Sequence, residues 1–372
     1  MKAKVCLFSF GFLVLAFLGC AGSDMRAPMP APTPPPSPQF LYVVNTISAT
    51  ISGFSINATS GALTQVGPAT PTAEASIYAA ATPNGKFLYV ATEDNDVNGV
   101  SGFVINPTTG VLTPTSPATF GVNGDSMPFG ITIDPTSTHV YTANARSISA
   151  FKIDSVSGAL SEVPGTPVSA GNEAPQTLTV TPNGKFLYTA NGPTGTIATY
   201  TLDADGLPHP MGSLVGAGNF PIGIVVDPSS KFAYVANWLS GDVTRYTIAA
   251  DGTLVPVDNT LIDQGCGPQE LALDPSAHFL YVSCPGTSTI AQFAVDSSTG
   301  ALTPMLPAFS PGAHTSPRGI VVDASGKFVY SALNTENQVG GSAIGAAGVL
   351  TSLPMPLPTG RGPLGVAIST VH

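Results

Sequence analysis

The chain has 372 residues, a net charge of −10 and only 9% charged residues, against 40 glycines and 36 prolines. Lysine and arginine are too few and too scattered to form a basic stripe, which excludes nucleic acid as a partner. Abundant turn formers, ordinary apolar content and no long run at helical spacing after the first twenty positions point to an all-β protein with a buried core.

The first segment reads as an address. Lys2 and Lys4 precede an apolar run from Val5 to Leu18, which is short for a membrane span. The run closes in Phe17-Leu18-Gly19-Cys20, followed by Ala21-Gly22-Ser23. This resembles a bacterial lipobox, with residues 1–20 as signal and Cys20 as the acylated first residue of the mature chain. Phe17 stands where leucine is usual, so plain secretion is the alternative. Alanine after the cysteine, without the aspartate that favours inner-membrane retention, points to an outer-membrane lipoprotein of the cell envelope. Residues 21–38 form a proline-rich tether.

From residue 39 to 372 one unit of about 47 residues recurs, the length of a propeller blade. Its most regular part is an aromatic strand, here strand B: Phe40-Leu41-Tyr42, Phe87-Leu88-Tyr89, His139-Val140-Tyr141, Phe186-Leu187-Tyr188, Phe232-Ala233-Tyr234, Phe279-Leu280-Tyr281 and Phe328-Val329-Tyr330. Before it comes an apolar strand A that ends in a turn, as in Gly223 to Ser230, where Asp-Pro-Ser-Ser supplies hairpin chemistry. After it comes strand C, for example Thr196 to Tyr200, and then a Ser-Gly-Ala-Leu-Thr turn such as that at Ser60 opens strand D. Four antiparallel strands make a sheet with two apolar faces, which must stack on neighbours. The reading frame begins in strand B at Phe40 and ends after a strand A at Leu364 to Ser369. The C-terminal strand is therefore expected to pair with the strand of Tyr42 and close a ring of seven blades without free sheet ends. A monomer is expected.

Gly130, Gly223, Gly319 and Gly365 fall at one position inside strand A, where blades converge; close packing is the expected reason. The residues entering strand A should ring the channel mouth: Ile77, Phe129, Gln176, Ile222, Gln269, Arg318 and Leu364. Within the repeat, Cys266 enters a strand A and Cys284 leaves the strand B paired with it. The turn between them brings the two ends together, and a disulfide is expected in an oxidising compartment.

The motifs Tyr234-Val235-Ala236-Asn237, Tyr188-Thr189-Ala190-Asn191 and Tyr42-Val43-Val44-Asn45 resemble the YVTN repeat. Over Gln39 to His372 the chain resembles the lactonase family of seven-bladed β-propellers, which includes 6-phosphogluconolactonase-like enzymes. That resemblance implies an axial pocket lined with arginine, histidine and glutamate. Pro317-Arg318-Gly319 matches one family arginine position, and Gly362-Pro363-Leu364-Gly365 resembles the family's end. Elsewhere the chain departs: Pro221-Ile222-Gly223 replaces a Pro-Arg-His pattern, Asn237-Trp238 replaces Asn-Glu, and Pro175-Gln176-Thr177 lacks a histidine.

Two functional readings follow. The first is a non-enzymatic propeller in the envelope that binds a small molecule, a carbohydrate or a protein, with Gln176, Gln269, Arg318, Trp238 and His314 as candidate ligand residues. The second is a lactone hydrolase in which Arg318 steadies the oxyanion and Glu270, or Glu173, activates water. The missing family residues favour the first. Trp238 either anchors a sugar or protein, or fills a gap between blades. Asp94-Asn95-Asp96-Val97-Asn98-Gly99 has the first half of a calcium loop, but Ile105 stands where the distal glutamate belongs, and a plain turn is favoured. No metal spacing, phosphate loop, dinucleotide fingerprint or Gly-x-Ser-x-Gly elbow occurs, and no cofactor is expected.

Overall fold

The computed structural model describes residues 37–92, 98–122, 127–171, 173–212, 214–354 and 356–370. The signal, Cys20, nearly all of the tether and most of the Asp94–Asn98 loop lie outside these residues.

Among the described residues the strands form seven antiparallel sheets, one per repeat. The strands A are Ala79–Ala81, Gly130–Ile133, Pro175–Val180, Pro221–Val226, Leu271–Leu273, Pro317–Val322 and Pro363–Thr370. The strands B are Gln39–Asn45, Phe87–Thr92, His139–Ala143, Phe186–Asn191, Phe232–Asn237, Phe279–Cys284 and Phe328–Leu333. Blades are named below by their strand-B tyrosine. Strand D is less regular than the repeat suggests. In the Tyr42 blade it splits into Leu63–Gln65 and Thr70–Pro71, both paired with strand C at Thr50–Ile56. Prolines along this outer edge interrupt its ladder, as edge strands tolerate.

The C-terminal strand pairs with the first strand, in the register Tyr42 to Ala367 and Val43 to Val366. The Tyr42 blade thus takes its inner strand from the far end of the chain, and the ring is closed. A second tie lies nearby, where the Ala324 amide donates to Gln39 Oε1 at 3.2 Å.

The repeated residues have repeated tasks. In six blades the strand-B tyrosine sends its hydroxyl to a glycine carbonyl in the C–D turn of the next blade, among them Tyr42 to Gly110, Tyr89 to Gly158 and Tyr188 to Gly252, each at 2.8 Å. The same glycines have positive φ and lie under the preceding aromatic. A Cβ on Gly110 would meet the Phe40 ring at 2.3 Å, and one on Gly252 would meet the Phe186 ring at 2.3 Å. Glycine is needed on both counts, conformation and space. The asparagine ending strand B staples it to strand C: Asn45 Nδ2 donates to Ser52 and Asn237 Nδ2 to Thr244, at 3.0 and 2.8 Å. At the A–B turn Asp227 Oδ1 accepts the Lys231 and Phe232 amides at 2.7 and 2.6 Å, and Thr82 does part of this work through its hydroxyl. The Tyr-Val-x-Asn and Asp-Pro signatures are therefore architecture.

Near the axis each glycine of strand A lies against the next inner strand. A Cβ on Gly223 would sit 2.3 Å from the Gln269 carbonyl, and one on Gly365 would sit 2.4 Å from the Ile77 carbonyl. Close approach of backbones explains these glycines.

Candidate functional site

The axial mouth is built by a turn repeated in every blade. The residue two places before each ring position adopts positive φ: Ala75, Met127, Ala174, Phe220, Gly267, Ser316 and Gly362. In six blades a proline follows, and the next residue is the one that enters the channel. Strand A then slips against strand B, with register shifts between Pro221 and Ile224 and between Pro317 and Ile320. A bulge of this kind re-aims side chains, and here it leaves Ile222 and Arg318 outside the paired ladder.

The ring residues Ile77, Phe129, Gln176, Ile222, Gln269, Arg318 and Leu364, joined by Tyr78 and Gly319, line one axial cavity of about 180 Å³. Arg318 is its only charged lining residue. The guanidinium donates from Nη1 to Gln269 Oε1 at 3.0 Å. No carboxylate among the described residues lies within ion-pair distance of it. Arg318 Nε is buried and has no hydrogen-bond partner. Gln176 folds its amide back to the Ala174 carbonyl of its own turn at 3.2 Å.

Tyr78 is the lining residue that sequence reasoning missed. Its one signal was negative: it is among the three tyrosines outside the strand-B register. Its phenol interacts electrostatically with the carboxyl group of Glu270, which belongs to a blade elsewhere in the ring. Glu270 as a residue is half-buried, but its Oε1 has neither solvent contact nor a hydrogen-bond partner. Burial pushes its carboxyl up to about 7, with the Tyr78 phenol pulling the other way. Burial also raises the Tyr78 phenol, as does the charge of Glu270, while the charge of Arg318 opposes them.

The other candidates lie elsewhere. Glu173 accepts hydrogen bonds from Thr194 and Thr196 at 2.8 and 2.9 Å and is not part of the cavity wall. His314 is exposed on the D–A loop and does not line the cavity. Trp238 also lies outside the cavity wall. It packs edge-on against Phe220 at 5.5 Å, and a Cβ on Gly267 would touch the indole at 2.9 Å, so it bridges to the next blade while remaining 41% exposed. Cys266 and Cys284 form a disulfide with α-carbons 4.6 Å apart, and both are buried. Among the described residues no cluster of histidine, cysteine and carboxylates is placed to hold a metal ion.

A family model described as "Lactonase, 7-bladed beta-propeller" matches residues 41–163 and 137–353. No curated protein sequence matches the chain. Among solved structures, a candidate 6-phosphogluconolactonase from Bacteroides fragilis aligns with a TM-score of 0.76 at 22% identity, covering 91% of this chain and 99% of that one. A periplasmic gluconolactonase from Pseudomonas aeruginosa aligns with a TM-score of 0.75 at 18% identity, covering 90% and 100% of the two chains. At these identities the likeness is one of fold.

Proposed function

The chain belongs to the lactonase family of seven-bladed β-propellers, and from that premise we propose that it is an envelope-tethered propeller that binds a small ligand in its axial cavity without hydrolysing it. The observation that carries this reading is the make-up of the cavity wall. Arg318 is a cationic anchor there, and no histidine or carboxylate accompanies it. Opening a lactone with water needs a base at the water as well as a donor at the developing oxyanion. Only the donor is in place. Glu270, next in sequence to the wall residue Gln269, is not itself part of the wall. A concave, mostly apolar site with a few convergent polar groups is the usual form of a small-molecule pocket.

Export through the lipobox-like segment, with Cys20 as anchor, agrees with the disulfide, which persists in an oxidising compartment. The Pseudomonas relative is described as periplasmic, which supports the same placement by analogy of fold. The test is to assay the purified protein against a panel of sugar and alkyl lactones, with Arg318→Ala as control. The expected result is no turnover of any lactone, and protection against unfolding by a small acidic ligand that the substitution abolishes. Turnover that disappears in Arg318→Ala would establish the hydrolase instead. Labelling with palmitate, absent from Cys20→Ser, tests the anchor.

A further inference from the structure

We propose that the axial cavity takes a small, hydroxyl-poor monocarboxylate, with its carboxylate on Arg318 and its hydrocarbon body against the apolar wall. This rests on the binding reading above and adds the class of ligand.

The first support is the charge state of the wall. Arg318 brings a fixed positive charge into a cavity of about 180 Å³, and its one hydrogen bond goes to a neutral amide, Gln269. Its Nε has no partner. A guanidinium carries five N–H donors, and a part-buried one without a counter-ion is costly. In a chain of net charge −10 the missing partner could have been built in, as it is for Arg245, which Asp258 holds through two hydrogen bonds of 2.9 and 2.6 Å. At Arg318 the position opposite the cation is left to the cavity. A carboxylate supplies the counter-charge and can accept two parallel hydrogen bonds.

The second support is the remainder of the wall. Ile77, Phe129, Ile222 and Leu364 offer no hydrogen bonds from their side chains, Gln176 Nε2 donates to its own turn, and the polar groups left beside Arg318 are the Gln269 amide it already engages and the Tyr78 phenol, which is coupled to Glu270. A polyhydroxylated acid would strip water from its hydroxyls and find few partners, at a cost for each unpaired group. An alkyl or aromatic acid would meet surface of its own kind. The wall thus discriminates against sugar acids by what it lacks.

The experiment is titration calorimetry on the full-length protein with benzoate, hexanoate, benzamide, gluconate and δ-gluconolactone, repeated with Arg318→Gln. Benzoate or hexanoate should bind at least tenfold more tightly than benzamide and gluconate, and Arg318→Gln should erase the preference for acid over amide. Tighter binding of gluconate or the lactone, lost in Arg318→Gln, would overturn the ligand class and leave the pocket reading standing. Equal binding of benzoate and benzamide would also overturn it. Failure of every probe to bind would overturn both, and a circular dichroism spectrum of Arg318→Gln matching the parent excludes misfolding as the cause of its loss.

Discussion

The hydroxyl of Tyr330 donates to the carbonyl of Gly61 at 2.8 Å, joining residues 269 apart in sequence. It is the same latch that Tyr42, Tyr89, Tyr188, Tyr234 and Tyr281 make, used here between the last complete blade and the blade shared by both ends of the chain. Tyr330→Phe leaves the Gly61 carbonyl without this donor and should cost about 1–2 kcal/mol by urea unfolding. Gly61→Ala should cost more, because a Cβ there would lie 2.4 Å from the Phe328 ring at a positive φ.

Closure by the terminal strand has a sharper consequence. Removing residues 363–372 takes away the inner strand of the Tyr42 blade and exposes the strand-B edge of Gln39–Asn45. Cooperative unfolding should be lost and the protein should aggregate, since an unpaired inner edge recruits other chains. A truncated protein that melts in one transition near the parent's midpoint would contradict the register of Val43 with Val366.

The Cys266–Cys284 bond closes a short loop, with a sequence separation of 18. Chain entropy gives such a crosslink roughly 3 kcal/mol. The double substitution to serine should lower stability by about 2–3 kcal/mol, somewhat offset or deepened by burying two hydroxyls, and the fluorescence of Trp238 should respond because Trp238 packs at Gly267, next to Cys266.

Glu270 makes stability depend on pH in a stated direction. Its carboxyl is raised from 4.5 to about 7 in the folded protein, so the native state holds a proton that the unfolded chain releases. Its contribution is most favourable below pH 4.5, declines as pH rises through 7, and above that the buried carboxylate carries its full cost. Glu270→Gln keeps the size of the side chain without the ionisable group and should be more stable than the parent at pH 8, by on the order of 2–3 kcal/mol. At pH 4 the two proteins should be closely matched.

Much of this was legible in the residues because a propeller repeats one local problem. Aromatic residues at i and i+2 announce strand B, Asp-Pro or Thr-Pro announces the A–B turn, and a frame that starts in B and stops after A implies a shared blade. The mouth ring could be named from register alone, since a β-strand alternates its side chains and the repeat aligns their starting points. The disulfide was legible for the same reason, as both cysteines lie in one hairpin.

What the chain order could not reveal is how side chains meet across the axis or between blades. Tyr78 and Glu270 belong to different blades and share no local pattern, so their proximity depends on the rotations of all the blades between them. The diversion of Glu173 to Thr194 and Thr196 is likewise a matter of loop course. The left-handed turn that aims each ring residue is invisible too, because only Gly267 and Gly362 of its seven positions are glycine. Sequence by itself determined the number of blades, their seam and the residues that enter the mouth, because short-range hydrogen bonding and side-chain alternation dictate them. Tertiary structure alone decided which of those residues acquire partners and that Arg318 does not acquire a carboxylate, because distances across a closed ring are set by every blade at once.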